Sequence, residues 1–172
     1  KRRNLTVFFS DIASFTDLSD TLEPEKLAKI INNYLSEMTT IAIECGGTID
    51  KFIGDAVMVF FGDPESLGEE QDALNCIEMA LQMQKRIKEL RAYYERLGVP
   101  GGLDVRMGIS TGFCTVGNFG SDQRLDYTAL GSPVNLAARL QGLSPKNEIL
   151  IEEATLQLVK GSVKTDYFDK IT

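Results

Sequence analysis

The sequence predicts an α+β fold, a ferredoxin-like sandwich in which helices pack on a largely antiparallel sheet. Three observations carry this expectation. A nearly continuous apolar run, "NLTVFFSDI", reads as a central strand buried on both faces. Two long stretches carry helical periodicity. Between them lie short apolar runs in pairs, joined by turn residues as antiparallel hairpins are.

Taken in order, the strand over 4–12 comes first. Pro24 then opens a helix whose apolar residues Leu27, Ile30, Ile31, Tyr34, Leu35 and Met38 recur at helical spacing, and Gly46 and Gly47 end it. "TIDKFIGDAVMVFFG", residues 48–62, is a hairpin with Gly54 and Asp55 at its tip. Residues 68–98 read as a second long amphipathic helix, closed by Gly98 and Pro100. "LDVRMGISTG" and "FCTVGNFG" form the two arms of another hairpin across 103–120. A helix starts near Ser132 with Pro133 in its first turn. "EILIEEATLQLV" is a strand followed by a short helix. The loops "GDPESLGEE" and "GVPGG" are the flexible-looking stretches.

Composition narrows the chemistry. With 172 residues the chain is read as one domain, 1–172, and its opening on Lys-Arg-Arg without Met reads as a module cut from a longer protein. A net charge of −7 argues against a nucleic-acid partner, which wants a basic surface. No apolar run approaches the roughly 20 residues that cross a bilayer, so no membrane contact is expected of this domain. Cys45, Cys76 and Cys114 are odd in number and widely spaced, which points to a reducing, cytoplasmic setting and away from a disulfide framework. The chain has no histidine. That removes the commonest general base and zinc ligand, and leaves carboxylates, metals, Lys, Arg and hydroxyls to do any chemistry.

Two constellations stand out. Asp11 ends the first strand and the turn "ASFT" follows it, where backbone N–H groups can bind an anion. An aspartate there also serves as an ordinary cap, and a Gly-Asp pair at a hairpin tip is common for conformational reasons alone. Paired, however, Asp11 and Asp55 can converge on hard cations such as Mg²⁺, which take oxygen ligands. In "RLDYTALGSPVNLAARLQ", Asn135 and Arg139 are four apart on one helical face, and the small Ala137 and Ala138 permit close packing against another surface.

"FFSDIASFT", "TIDKFIGDAVMVFFG" and "DYTALGSPVNLAARLQ", in this order and spacing, resemble the catalytic domain of class III nucleotidyl cyclases, most of all bacterial adenylyl cyclases of the soluble-adenylyl-cyclase-like group. The resemblance implies two Mg²⁺, replaceable by Mn²⁺, held by Asp11, Asp55 and the Ile12 carbonyl. It implies a phosphate-cradling turn at Ala13, Ser14, Phe15 and Thr16, and purine reading by Lys51 and Thr128. Asn135 matches the residue that positions the ribose, and Arg139 the one that stabilises charge on the α-phosphate. Arg124 resembles an arginine near the phosphates or a bicarbonate site, so bicarbonate enters as a candidate activator. The implied substrate is ATP, converted to cyclic AMP and pyrophosphate at sites shared across a head-to-tail homodimer. A guanylyl or promiscuous cyclase, or a catalytically degenerate regulatory domain, is the alternative. Thr128 stands where many adenylyl cyclases have aspartate, and a hydroxyl both accepts and donates. The lysine for the terminal phosphate is either Lys170 or beyond Thr172.

Overall fold

The computed structural model describes residues 1–170. Strands β1 (Arg2–Ile12), β2 (Thr48–Ile53), β3 (Ala56–Phe61), β4 (Val105–Ser121), β5 (Arg124–Leu130) and β6 (Ile149–Ile151) alternate with helices α1 (Phe15–Thr21), α2 (Pro24–Glu44), α3 (Glu69–Glu89), α4 (Arg91–Arg96), α5 (Ser132–Leu143) and α6 (Glu153–Val159). The sheet runs β2-β3-β1-β4-β5, antiparallel throughout, and the short β6 adds a parallel pairing to β4.

The apolar run of β1 has the expected cause. Alternate side chains enter two cores on opposite faces. Phe8 and Ile12 join Tyr34 and Met38 of α2 and Met79 and Met83 of α3 on one side. Leu5, Val7 and Phe9 join Met58, Phe60, Cys114, Val116, Ala129 and Ala137 on the other. Among the described residues no helix is long and apolar enough to cross a membrane.

Two expectations are corrected. Residues 103–120 do not form a hairpin: β4 runs unbroken from Val105 to Ser121, and the turn falls later, at Asp122 and Gln123, where Ser121 pairs with Arg124. β5 is therefore a strand that the periodicity did not single out. Two glycines of β4 make room for a helix. A Cβ on Gly108 would stand 2.3 Å from the Gln141 nitrogen and 2.5 Å from the Ala137 oxygen, and one on Gly112 would stand 2.8 Å from Pro133 Cγ. These positions let the backbone of α5 lie directly on β4. The long helix over 68–98 is also divided. Leu90 (φ −85, ψ −2) stays right-handed but separates α3 from α4, which follows at once and buries Tyr94.

The two ends of the strand order approach each other. β4 and β5 curl over the second core, and side chains of β5 reach the opposite edge: Thr128 bonds to Asp50 of β2, and the Tyr127 hydroxyl donates to Asp63, just past β3.

Gly108→Ala is expected to destabilise the fold by about 2–4 kcal/mol, since the clash is with helix backbone and not with a movable side-chain tip. Gly142→Ala in the same helix, where an added Cβ meets nothing within 4 Å, should be neutral or stabilise by up to about 1 kcal/mol. Urea midpoints at unchanged m-value check both.

Candidate active site

The first cluster forms where β1 ends beside the β2–β3 turn. Gly54 adopts φ +60, a conformation that suits glycine, and this tight tip turns Asp55 back toward β1. The Asp55 carboxylate accepts the Ile12 backbone N–H at 2.7 Å. Asp11 lies one residue earlier, and the β1–β4 register sets it opposite Arg106. The guanidinium grips it as a fork, Nε donating to Oδ1 at 3.1 Å and Nη2 to Oδ2 at 2.8 Å, while Nη1 donates to the Gly142 carbonyl at 3.3 Å. Arg106 thereby fastens Asp11 to the end of α5.

The electrostatics of the pair are asymmetric. Burial pushes the Asp55 carboxyl above the usual carboxylate range and the nearby Asp11 charge adds to this, opposed by the hydrogen bond from Ile12 and by Arg106. The Arg106 guanidinium is held above its ordinary value chiefly by its hydrogen bonds to Asp11. A second negative charge is thus disfavoured where Asp55 stands, and a cation there relieves it. The donors on offer are carboxylate and carbonyl oxygens, which fit a hard ion such as Mg²⁺. Among the described residues no group of three or more acidic or thiol side chains converges, so substrate phosphates would have to complete such an ion's shell.

The turn after β1 is partly committed. The Ala13 amide donates to the Asp104 carbonyl at 2.7 Å. Ser14 follows in the left-handed region (φ 58), and Phe15 and Thr16 open α1.

A second cluster joins β2 to β5. A bulge between Ile49 and Lys51 breaks the strand's alternation at Asp50 and turns its side chain fully inward. Its carboxylate accepts the Thr128 hydroxyl, 2.8 and 2.7 Å from the two oxygens, and the Ala129 N–H at 3.0 Å. The Lys51 ammonium lies 3.4 Å from Asp50 Oδ1 and stays 42% exposed, so it remains within reach of a ligand. Thr128 itself is buried.

On α5, Asn135 and Arg139 both lie on the exposed side, while Ala137 and Leu140 face inward. The surface against which Ala137 packs is β4 at Gly108. Arg124 is 85% exposed at the start of β5, 3.8 Å from Asp126, and joins neither cluster through that pairing. Lys170 is exposed near the end of the described chain.

Asp50 and Arg106 were not singled out in the sequence. Each had a signal: a charge in an otherwise apolar strand, Asp50 next to Lys51 in "TIDKF" and Arg106 in "VRMGI". Their partners became visible only with the register.

Comparison with known proteins places the chain in a family. The family described as "Adenylate and Guanylate cyclase catalytic domain" matches residues 1–172. An adenylate cyclase of Anabaena cylindrica is 34% identical over 158 residues, 90% of this chain and 30% of that protein. The chain spans 7% to 30% of the length of the first three curated relatives. The crystal structure of the adenylyl cyclase CyaB from P. aeruginosa superposes with a TM-score of 0.93 at 52% identity, covering 95% of this chain and 84% of that one. That of the guanylyl cyclase Cya2 does so at 0.86 and 36%, covering 92% and 79%.

A carboxylate whose folded pKa is raised favours the fold below its unfolded value, near 3.9, and opposes it as pH rises through the folded value. Asp55→Asn keeps an oxygen for the Ile12 N–H and removes that charge. It should therefore denature at a higher temperature than wild type at pH 7, with the difference vanishing near pH 3; a lower midpoint at pH 7 would contradict the electrostatic assignment.

Proposed function

The chain belongs to the family of adenylate and guanylate cyclase catalytic domains, and from that premise we propose that it converts ATP to 3′,5′-cyclic AMP and pyrophosphate. The observation that carries the reading is the hydrogen bond from Ile12 to Asp55, which brings the second carboxylate beside the first although the two lie far apart in sequence.

In this proposal Asp11, Asp55 and the Ile12 carbonyl hold two Mg²⁺, or Mn²⁺ in their place. When bound, the ions lower the pKa of the ribose 3′-OH and neutralise the triphosphate. The reaction is an in-line intramolecular attack: the 3′-oxygen forms a bond to the α-phosphorus, the bond to pyrophosphate breaks, and the hydroxyl proton is released. No protein nucleophile is needed, which suits a chain without histidine. Asn135 positions the ribose, so that much of the acceleration comes from orientation. Arg139 supplies fixed positive charge where negative charge develops, a contribution of about 3–4 kcal/mol if it resembles other preorganised donors. Arg106 keeps Asp11 aimed while adding positive charge to the same corner. The amides of Ser14, Phe15 and Thr16 are left to meet phosphate oxygens. Lys51 is a donor that suits the adenine N1 acceptor, whereas guanine N1 carries a proton. The likeness to a guanylyl cyclase keeps a second reading in view, cyclisation of GTP, and separate product assays with ATP and GTP at matched metal concentration decide between them. No step rests on Arg124 or bicarbonate. The reaction belongs in the cytoplasm, where ATP is made available and Cys45, Cys76 and Cys114 stay reduced.

The active unit in this proposal is a head-to-tail homodimer. Lys51 is four residues from Asp55 on one hairpin, yet the base and the triphosphate are opposite ends of ATP. Phe52, Ile53, Leu125, Tyr127 and Leu130 expose an apolar surface on β2 and β5, of the kind that a partner covers. In a two-fold pair, each site takes Asp11 and Asp55 from one chain and Lys51, Thr128, Asn135 and Arg139 from the other. Asp55→Asn and Arg139→Ala chains should each be inactive alone, and mixing them should recover about a quarter of wild-type activity, because half the dimers are mixed and half their sites intact. A mixture that stays inactive after demonstrated subunit exchange would show that each site belongs to one chain.

A further inference from the structure

Lys51 and Thr128, the two residues that face the purine in the proposed function, are both held by a third side chain. The Asp50 side chain has no accessible surface, and its carboxylate meets three donors: the Thr128 hydroxyl, the Ala129 N–H and the Lys51 ammonium. The bulge between Ile49 and Lys51 makes this possible, since neighbours in a regular strand point to opposite faces.

We propose that Asp50 is a specificity-determining positioning residue: by taking the Thr128 proton it fixes that hydroxyl as a hydrogen-bond acceptor, and so selects adenine over guanine. The inference rests on the reading that Thr128 and Lys51 face the base. A threonine hydroxyl has one proton and two lone-pair sites, and an ionised carboxylate only accepts. Thr128 Oγ1 lies within 2.8 Å of both Asp50 oxygens, so its proton is directed to Asp50. What remains for a ligand is a lone pair. That lone pair receives the 6-amino N–H of adenine, but meets another lone pair on O6 of guanine. The Ala129 N–H pins the carboxylate, so rotation does not free the proton. Lys51, held by the same carboxylate, presents a donor to N1, which is an acceptor in adenine and carries hydrogen in guanine. One buried charge therefore sets the polarity of Thr128 and holds Lys51, a donor in any case, beside it. This resolves the ambiguity of a hydroxyl where aspartate is common: Thr128 with Asp50 behind it presents the same acceptor character as a carboxylate.

The same contact also ties β2 to β5, so the test must separate base choice from structure. Steady-state kcat/KM is measured for ATP and GTP with wild type, Asp50→Asn, Thr128→Val and the double variant. The side-chain amide introduced by Asp50→Asn donates to Thr128 and releases its proton toward the ligand, so the ATP/GTP ratio should fall about tenfold or more. In the Thr128→Val background Asp50→Asn should move the ratio no further. Equal loss for both nucleotides, or a ratio change that persists without the hydroxyl, overturns the proposal and leaves Asp50 a structural tie. Should Asp50→Asn fail to fold by circular dichroism, wild type decides with purine riboside 5′-triphosphate, which lacks the 6-amino group but keeps N1. Its kcat/KM should lie about tenfold below that of ATP, and equal use overturns the acceptor assignment. Absence of any cyclic product from wild-type chain would instead overturn the cyclase reading, and this inference with it.

Discussion

The register between β1 and β4 is the constraint on which the rest depends. The two strands pair from Arg2 opposite Thr115 to Ile12 opposite Val105, without a shift. Because side chains alternate, a slip of one residue would send Phe8 and Ile12 to the face now filled by Leu5, Val7 and Phe9, and both cores would be lost together. The same register sets Arg106 opposite Asp11 and puts Gly108 and Gly112 under α5. Apolar packing on two faces thus fixes to the residue a charge pair that would be too weak to choose its own register.

Closure of the sheet imposes a second constraint, met with polar groups. β2 and β5 are far apart in the strand order, yet Asp50 and Thr128 touch. A carboxylate with no accessible surface is costly unless donors surround it. Asp50 has three, and removing any one would leave buried charge short of a partner. Such a contact tolerates few alternative geometries, which is why a polar tie can specify an arrangement that an apolar contact would leave loose.

Much of this was legible in the sequence, and what was not has a physical cause. The helix α2 and the β2–β3 hairpin follow from local signals, a Pro start, Gly46 and Gly47, and a Gly-Asp tip, so they were read within a residue or two. The hairpin turn was placed after Gly112, between "LDVRMGISTG" and "FCTVGNFG", while Gly108 and Gly112 are small because α5 approaches from beyond the strand. Asp11 and Asp55 stand out in the sequence because each lies at the end of an element. Arg106 and Asp50 were passed over because their meaning lies in partners set by non-local pairing. The acceptor of the Ala13 amide, Asp104, likewise comes from a distant loop.

The placement of charge shows what the fold gives up for its chemistry. Arg86 clamps Glu37 between α3 and α2 with donor distances of 2.8 and 3.0 Å, and it lowers the Glu37 pKa as a stabilising pair should. Asp55 is the opposite case: its charge is opposed by burial and by Asp11, although the chain could have placed an uncharged residue there at no structural loss to the Ile12 N–H. A group held in an unfavourable ionisation state beside a like charge marks a candidate functional site. That burden falls on Asp55, and Arg106 partly offsets it. Asp55 is therefore a carboxylate that packing alone would not have chosen.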